Sequence, residues 1–194
     1  MPVQTTAFYG IRRNLEGESP MANIFPRDKK LAILRLLVEG NSLRAITRIT
    51  GTHRSTVMKV LVEVGERCDE FMSLNLRNIK TAHVEIDEQW TWVAKKQGHL
   101  TDTQKLDETI GDQYLFLGLD QKTKLIISHV IGKRNEITTR QFIAKLANRI
   151  VLPQSSDGPI AEKPQLSTDG WASYQPAIQD TFGSLAQHGV IVKN

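Results

Sequence analysis

Two aspartates in this chain sit where solvation alone does not account for them. Asp87 falls in the middle of an alternating run, His83 to Val93 (HVEIDEQWTWV), flanked by Ile86 and two tryptophans, although aspartate is disfavoured in strand interiors. Asp169 follows a short extended run, Gln165–Thr168, and immediately precedes Gly170, where a backbone turn leaves a carboxylate pointing off a sheet edge. Side by side, two such groups repel and one pKa rises, unless a divalent cation sits between them. Magnesium, held through one or two carboxylates plus substrate phosphates, removes that conflict. A pair of ions held this way can activate a water or a 3′-hydroxyl and stabilise the leaving oxygen in phosphodiester chemistry. The competing account is that Asp87 pairs with a nearby Lys or Arg and Asp169 is a simple turn residue or helix cap.

A second set of side chains suits contacts to a polyanion. Net charge is +4, and residues 21–60 concentrate the basic excess, with 8 basic against 2 acidic side chains. Arg44, Arg48, His53, Arg54, Ser55, Thr56 and Lys59 are donors able to reach phosphates or base edges, and such a patch attracts DNA through counterion release. The alternative is a helical hairpin whose basic face only keeps it in solution. The single cysteine, Cys68, excludes an internal disulfide framework and a cysteine-based zinc cluster. His83, His99, His129 and His188 show no metal-ligand spacing. No run approaches the roughly 18 apolar residues of a membrane span, and the first residues carry no secretory h-region. A soluble, unexported, cytoplasmic protein associated with the nucleoid is expected.

The elements that must position these residues follow from periodicity. Residues 1–21 have neither helical nor strand period and read as a flexible leader, or as the product of a start placed too far upstream. From Pro26, Leu31, Leu34, Leu37 and Val38 predict a helix closed by Gly40. Ser42 caps a second helix that ends at Gly51, and a third, with Val57, Val60, Leu61, Val64, Cys68 and Phe71 on one stripe, runs to about residue 72. The second and third have the layout of a helix-turn-helix over a domain 22–72. Residues 73–82 read as a linker, after which the period becomes extended. The order predicted for 83–194 is β-β-β-α-β-α-(β): His83–Val93, Tyr114–Leu119, Leu125–Ile131, a helix from Thr138 to Val151, Gln165–Thr168, a helix Tyr174–Phe182, and a strand opening at Val190–Val192. A proline-bounded loop occupies 153–164. Trp90, Trp92 and Trp171 are expected to fill the core. Lys95, Lys96, Lys133 and Arg134 read equally as phosphate contacts or as solvated loop charges.

The stretches Asp87-Glu88-Gln89-Trp90 with Val93 and Lys95-Lys96, and Thr168-Asp169-Gly170-Trp171 with Tyr174, resemble the first and second catalytic-aspartate motifs of bacterial insertion-sequence DDE transposases. The nearest group is the one named after insertion sequence one, and the resemblance extends through Val38-Glu39-Gly40-Asn41-Ser42 to cover roughly 22–194. It implies an α/β protein with a mixed, α+β-type sheet: an N-terminal helix-turn-helix, then a ribonuclease H-like catalytic domain, incomplete at its C-terminus. It further implies that Asp87 and Asp169 are catalytic and bind Mg²⁺ or Mn²⁺, that the partner is double-stranded DNA at transposon ends and target, and that the chain forms a homo-oligomer on DNA.

The third acid of the triad cannot be carried over. In relatives it lies on a helix after the fifth strand, and Asp180, the one acid after Asp169, is in the wrong element. The chain therefore reads as a truncated transposase of impaired strand-transfer activity. The runner-up is a non-catalytic DNA-binding remnant or repressor of an intact transposase. A metal-dependent nuclease of the same fold would differ only in whether water or a 3′-hydroxyl attacks.

Overall fold

Helix-starting and helix-stopping residues act in the first part of the chain where the sequence puts them. The computed structural model describes residues 25–154 and 163–191. The expected leader, most of the 153–164 loop and Val192 lie outside the described residues. Helix α1 (Arg27–Val38) begins after Pro26, whose carbonyl accepts from the Lys30 N–H at 3.1 Å. Helix α2 (Leu43–Thr50) is capped by the Ser42 hydroxyl, which accepts from the Ala45 N–H at 3.2 Å, and is closed by Gly51 at φ 63°, a left-handed conformation that glycine adopts without steric cost. Helix α3 (Arg54–Asn75) follows after a short turn.

Ile33, Ile46, Val57 and Val60 form the centre of this unit's core. The buried stripe of α1 is therefore offset from the expected one: Ile33 is enclosed, with Leu36 and Leu37 on the same side at spacings of three and four, while Leu31 and Val38 are 42% and 85% exposed. On α3 burial is confined to the first turns. Leu61, Cys68 and Phe71 are exposed, so the apolar period outruns the packing surface available to it.

Two compact units meet in sequence at Arg67 and Cys68, inside α3, earlier than the expected end of the first domain at residue 72. Nor is 73–82 a free linker. Ser73–Asn75 finish α3, and Ile79 bridges in parallel to Ile150, its N–H donating to the Arg149 carbonyl and its carbonyl accepting from Val151, each at 2.9 Å.

The second unit carries β1 (His83–Val93), β2 (Gly111–Asp120), β3 (Ile126–Gly132), α4 (Glu136–Ala147), β4 (Gln165–Thr168), α5 (Tyr174–Phe182) and β5 (Gln187–Val190). These make a five-stranded mixed sheet in the order β3-β2-β1-β4-β5, with β1–β2 and β2–β3 antiparallel and β1–β4 and β4–β5 parallel. The described residues include five α-helices, one mixed sheet and two short 3₁₀ helices, Gln97–His99 and Gln104–Leu106. Helices α4 and α5 cover one face, where Phe142, Leu146, Tyr174 and Phe182 pack on Val84, Ile86, Phe116 and Leu166.

The predicted element order holds; β3 and the end of β2 move by one residue, and three elements have larger boundary shifts. Strand β2 starts at Gly111. Helix α4 starts at Glu136, because Asn135 caps it by accepting from the Thr138 N–H at 2.9 Å, and stops at Ala147, which frees Ile150 to pair with Ile79. Strand β5 starts at Gln187, since pairing with β4 and not apolar content makes it a strand. No helix among the described residues is long and apolar enough to cross a membrane.

The β2–β3 connection turns on a buried acid. Asp120 accepts from the Thr123 hydroxyl at 2.6 Å and the Thr123 N–H at 2.7 Å through one oxygen, and from the Thr81 hydroxyl at 2.6 Å through the other. The bonds from Thr123, then Thr81, hold its carboxyl below the usual aspartate range. That contribution is present above the unfolded-state value near 3.9 and is lost as pH falls through the lowered folded value. Asp120→Asn is expected to cost about 1–3 kcal/mol at pH 7 in urea denaturation, on the scale of bonds to charged groups, and to weaken the loss of stability on acidification below about pH 4.

Candidate functional site

Strand β1 is the middle strand of the sheet and runs parallel to β4 in the register Val84↔Leu166 and Glu85↔Ser167. Two residues further on, this register sets Asp87 level with Asp169, at the carboxyl end of a short parallel pair, a usual place for a ligand site in sheets of this kind. Asp87, Glu88 and Asp169 each present an oxygen, and these atoms lie within 4.8 Å of one another. The two aspartates singled out from sequence are thus brought together. Asp87 makes no ion pair among the described residues; its Oδ1 accepts from the Glu88 N–H at 2.9 Å, so the pairing with Lys or Arg does not occur. Asp169 does serve its turn, with Oδ1 accepting from the Trp171 N–H at 2.9 Å, and it belongs to the cluster as well.

Glu88 is the member of the cluster that sequence reasoning does not single out. A signal for it exists: strand alternation sends position 88 to the side of Val84 and Ile86, which is the buried one. Its side chain is 3% exposed, and its carboxylate accepts from Arg134 Nε at 3.1 Å. The same guanidinium donates from Nη2 to Asp169 Oδ2 at 2.9 Å and lies 4.5 Å from the centre of the Trp171 ring, a cation–π distance. Trp171 is oriented in turn by its indole N–H, which donates to Thr139 of α4 at 3.2 Å. Arg134 is therefore not a free loop charge; it is a partly exposed partner of the acids.

Electrostatics here are those of a crowded acidic site. Burial pushes the Glu88 carboxyl up, against the lowering effect of Arg134, and the Asp169 charge adds to the rise. Burial disfavours the Arg134 charge, but Glu88 and Asp169 outweigh it and hold the guanidinium protonated above its usual range. Burial, then the Glu88 and Asp169 charges, drives the Tyr174 phenol far above its ordinary value. The fully buried Tyr174 hydroxyl closes no hydrogen bond within normal distance. Three carboxylates facing one ion-paired cation leave the cluster two negative charges in excess.

On the sheet face away from the helices, Asp87 and Asp169 line a groove of about 420 Å³ with Leu117, Leu119, Thr168 and Ile191. Glu88 does not reach it. The acids can therefore be approached from two sides: Arg134 occupies the Glu88 side, and the groove leaves Asp87 and Asp169 open.

The basic residues lie in the first unit. Arg44 and Arg48 are one helical turn apart on α2, and Arg54, Ser55, Thr56 and Lys59 occupy the first turns of α3, with His53 just before it. All are exposed except Thr56, which is half-buried. His53 Nδ1 lies 2.8 Å from the Ser55 hydroxyl and accepts from the Ser55 N–H at 3.3 Å, so this histidine caps α3. Lys30 and Arg67 are tied to Glu63, whereas Arg44, Arg48, Arg54 and Lys59 make no ion pair among the described residues.

Other expectations are corrected. Trp90 and Trp92 are 44% and 47% exposed and do not fill the core, because β1 extends beyond the helix-covered part of the sheet; Lys96 sits 5.4 Å from the Trp90 ring. Lys133 is not a solvated charge, since its ammonium donates to the Ile110 and Asp112 carbonyls at 2.5 and 3.0 Å. His83 and His188 stay outside the acidic group and bond to Ser167 and Thr168 at 2.7 and 2.8 Å.

Gly132 sets the approach of α4 to the end of β3, and with it the start of the loop bearing Arg134. A β-carbon there would lie 2.8 Å from the Thr138 side chain, which is buried. Gly132→Ala is expected to destabilise the protein by about 1–3 kcal/mol in chemical denaturation, the usual range for overpacking. Tyr174→Phe removes a buried hydroxyl whose interaction with Glu88 lies beyond normal hydrogen-bond distance, so metal-free stability should hold or rise by up to about 1 kcal/mol; a fall of that size would show that the two groups are hydrogen-bonded.

No protein-family model matches this chain, and no curated protein is recognisably similar to it.

Proposed function

We propose that this chain is a DNA-processing protein of the insertion-sequence transposase type, with a DNA-binding helical unit and a sheet unit that carries metal-dependent phosphoryl transfer. The observation that carries this reading is the convergence of Asp87, Glu88 and Asp169, each with an oxygen within 4.8 Å of the others, at the end of the parallel pair β1 and β4. A mixed sheet with β1 at its centre and acids at the ends of β1 and β4 is compatible with a ribonuclease H-like domain. The glycine turn between α2 and α3, with cations around the start of α3 that make no ion pair among the described residues, supports a helix-turn-helix.

The residues present fit a divalent cation. The donor set is all oxygen, as Mg²⁺ and Mn²⁺ prefer, the cluster carries excess negative charge, and Asp87 and Asp169 are open to the groove. Asp87 and Asp169 would hold the ion from the groove side, with Glu88 behind them. Bound there, Mg²⁺ or Mn²⁺ would activate a water or 3′-hydroxyl and stabilise the leaving oxygen. The protein's own residues do the rest: Trp171 and Thr139 orient the Arg134 that holds Asp169 in place, and Arg44, Arg48, Arg54 and Lys59 neutralise phosphates while His53, Ser55 and Thr56 reach toward bases. The partner is double-stranded DNA, engaged by a homo-oligomer because two ends must be joined, in association with the nucleoid.

One observation favours a second reading, a DNA-binding repressor without chemistry: Arg134 already neutralises part of the acidic cluster. Plasmid nicking and DNA binding separate the two. The enzymatic reading expects Mg²⁺- or Mn²⁺-dependent nicking of supercoiled plasmid that falls to background in Asp87→Asn and in Asp169→Asn. It also expects Mn²⁺ binding by calorimetry that both substitutions weaken. Salt-sensitive duplex binding without nicking or metal uptake would leave the repressor. In either case Arg54→Ala/Lys59→Ala should lower the slope of log affinity against log salt by about 2, one for each phosphate that is no longer neutralised; an unchanged slope overturns the assignment of the helical face.

A further inference from the structure

We propose that Arg134 is a built-in counter-cation of the acidic site, which competes with the divalent ion for Asp169 and so sets how tightly that ion is held. The inference rests on the metal-binding reading above and extends it to a residue outside the motifs that carry the sequence resemblance.

Arg134 bonds to the cluster through two nitrogens, Nε to Glu88 at 3.1 Å and Nη2 to Asp169 at 2.9 Å. A lysine, with one point charge on a flexible stem, could not span both carboxylates and stack on a ring at once. Its position is built from both sides. Lys133 is anchored on the Ile110 and Asp112 carbonyls, Asn135 is committed to capping α4, and the Trp171 ring beneath the guanidinium is held by Thr139. Both oxygens of Asp169 are already engaged, one by the Trp171 N–H and the other by Arg134. The Trp171 bond is compatible with a carboxylate that ligates a cation, because it supports the charged form. The Arg134 bond opposes it, since a guanidinium beside a divalent ion is a like-charge contact at short range. Binding of the ion therefore weakens the Arg134–Asp169 bond and leaves Arg134 with Glu88 alone. In the metal-free protein the same guanidinium offsets the repulsion among the three acids and keeps the site assembled.

The competition predicts opposite effects on affinity and on stability, which a purely structural arginine would not produce. Arg134→Gln should bind Mn²⁺ roughly tenfold tighter than the wild type by calorimetry, while its metal-free form melts at a lower temperature and regains most of the difference in excess Mg²⁺. Lys105→Gln, which removes an exposed charge paired with Asp102 outside the cluster, should leave Mn²⁺ affinity unchanged. In a Trp90→Phe/Trp92→Phe background, Mg²⁺ should shift the emission of Trp171 as Arg134 moves off its ring, and the shift should vanish when Arg134→Gln is added. Equal Mn²⁺ affinity in Arg134→Gln and wild type, or a Trp171 emission unmoved at Mg²⁺ saturation, overturns the role of Arg134 and leaves the metal site standing. Failure of both proteins to bind Mn²⁺ overturns the metal site itself, and the competition with it. Should Arg134→Gln not fold, the Trp171 titration of the protein that retains Arg134 decides the matter alone.

Discussion

An acid placed against the core has to be answered by a positive charge, and in this protein the answer to Glu88 organises the whole end of the sheet. Glu88 is almost fully enclosed and Arg134 is its partner. Leaving such a carboxylate unpaired would cost several kcal/mol. Arg134 reaches it only because α4 closes down over Gly132 and because Trp171, on the turn after β4, presents its ring beneath the guanidinium. Three elements distant in sequence are thus tied to one ion pair. The turn that supplies Trp171 also supplies Asp169, so the residue that completes the acidic cluster is positioned by the same contact that neutralises part of it.

The cluster therefore has two sides with different physics. Toward the helices, Glu88 is paired with Arg134, the Trp171 ring lies against the guanidinium, and the buried Tyr174 hydroxyl sits beside the carboxylate. Toward the groove, Asp87 and Asp169 face open space beside apolar residues of β2. A site that is rigid behind and open in front is suited to holding a small hard cation against a larger anionic substrate. The helical unit has the complementary character. Its core is four aliphatic side chains deep, and among the described residues its outward cations lack the acidic partners that Lys30 and Arg67 find in Glu63.

Departures from the sequence expectations share a pattern. Periodicity located strands β1 to β4 and helices α4 and α5 of the sheet unit, because strand alternation and helix spacing are local properties. It did not locate the faces as well. Leu31 and Val38 look like core by type yet are exposed, and Ile33 takes the buried position, because only the direction of approach of α2 and α3 decides which side of α1 is covered. Trp90 and Trp92 are large and apolar, but β1 runs past the helices that would bury them. Strand β5 has almost no apolar signal, and hydrogen bonding to β4 defines it.

From its sequence alone, this chain declares its α-helices, its strand order along the chain, the anomalous aspartates at 87 and 169, and the basic surplus around α2 and α3. Each depends on residue type and near-neighbour spacing, which chain geometry converts directly into structure. Only the tertiary structure decides that β1 lies beside β4, that Glu88 joins the two aspartates, and that Arg134 reaches all the way in to two of them. The Arg134 contacts cross 46 and 35 positions of chain and the β1–β4 pairing crosses 82, and no local rule carries information over such distances. They exist because sheet pairing and helix packing together leave one place where an enclosed carboxylate can find its counter-charge.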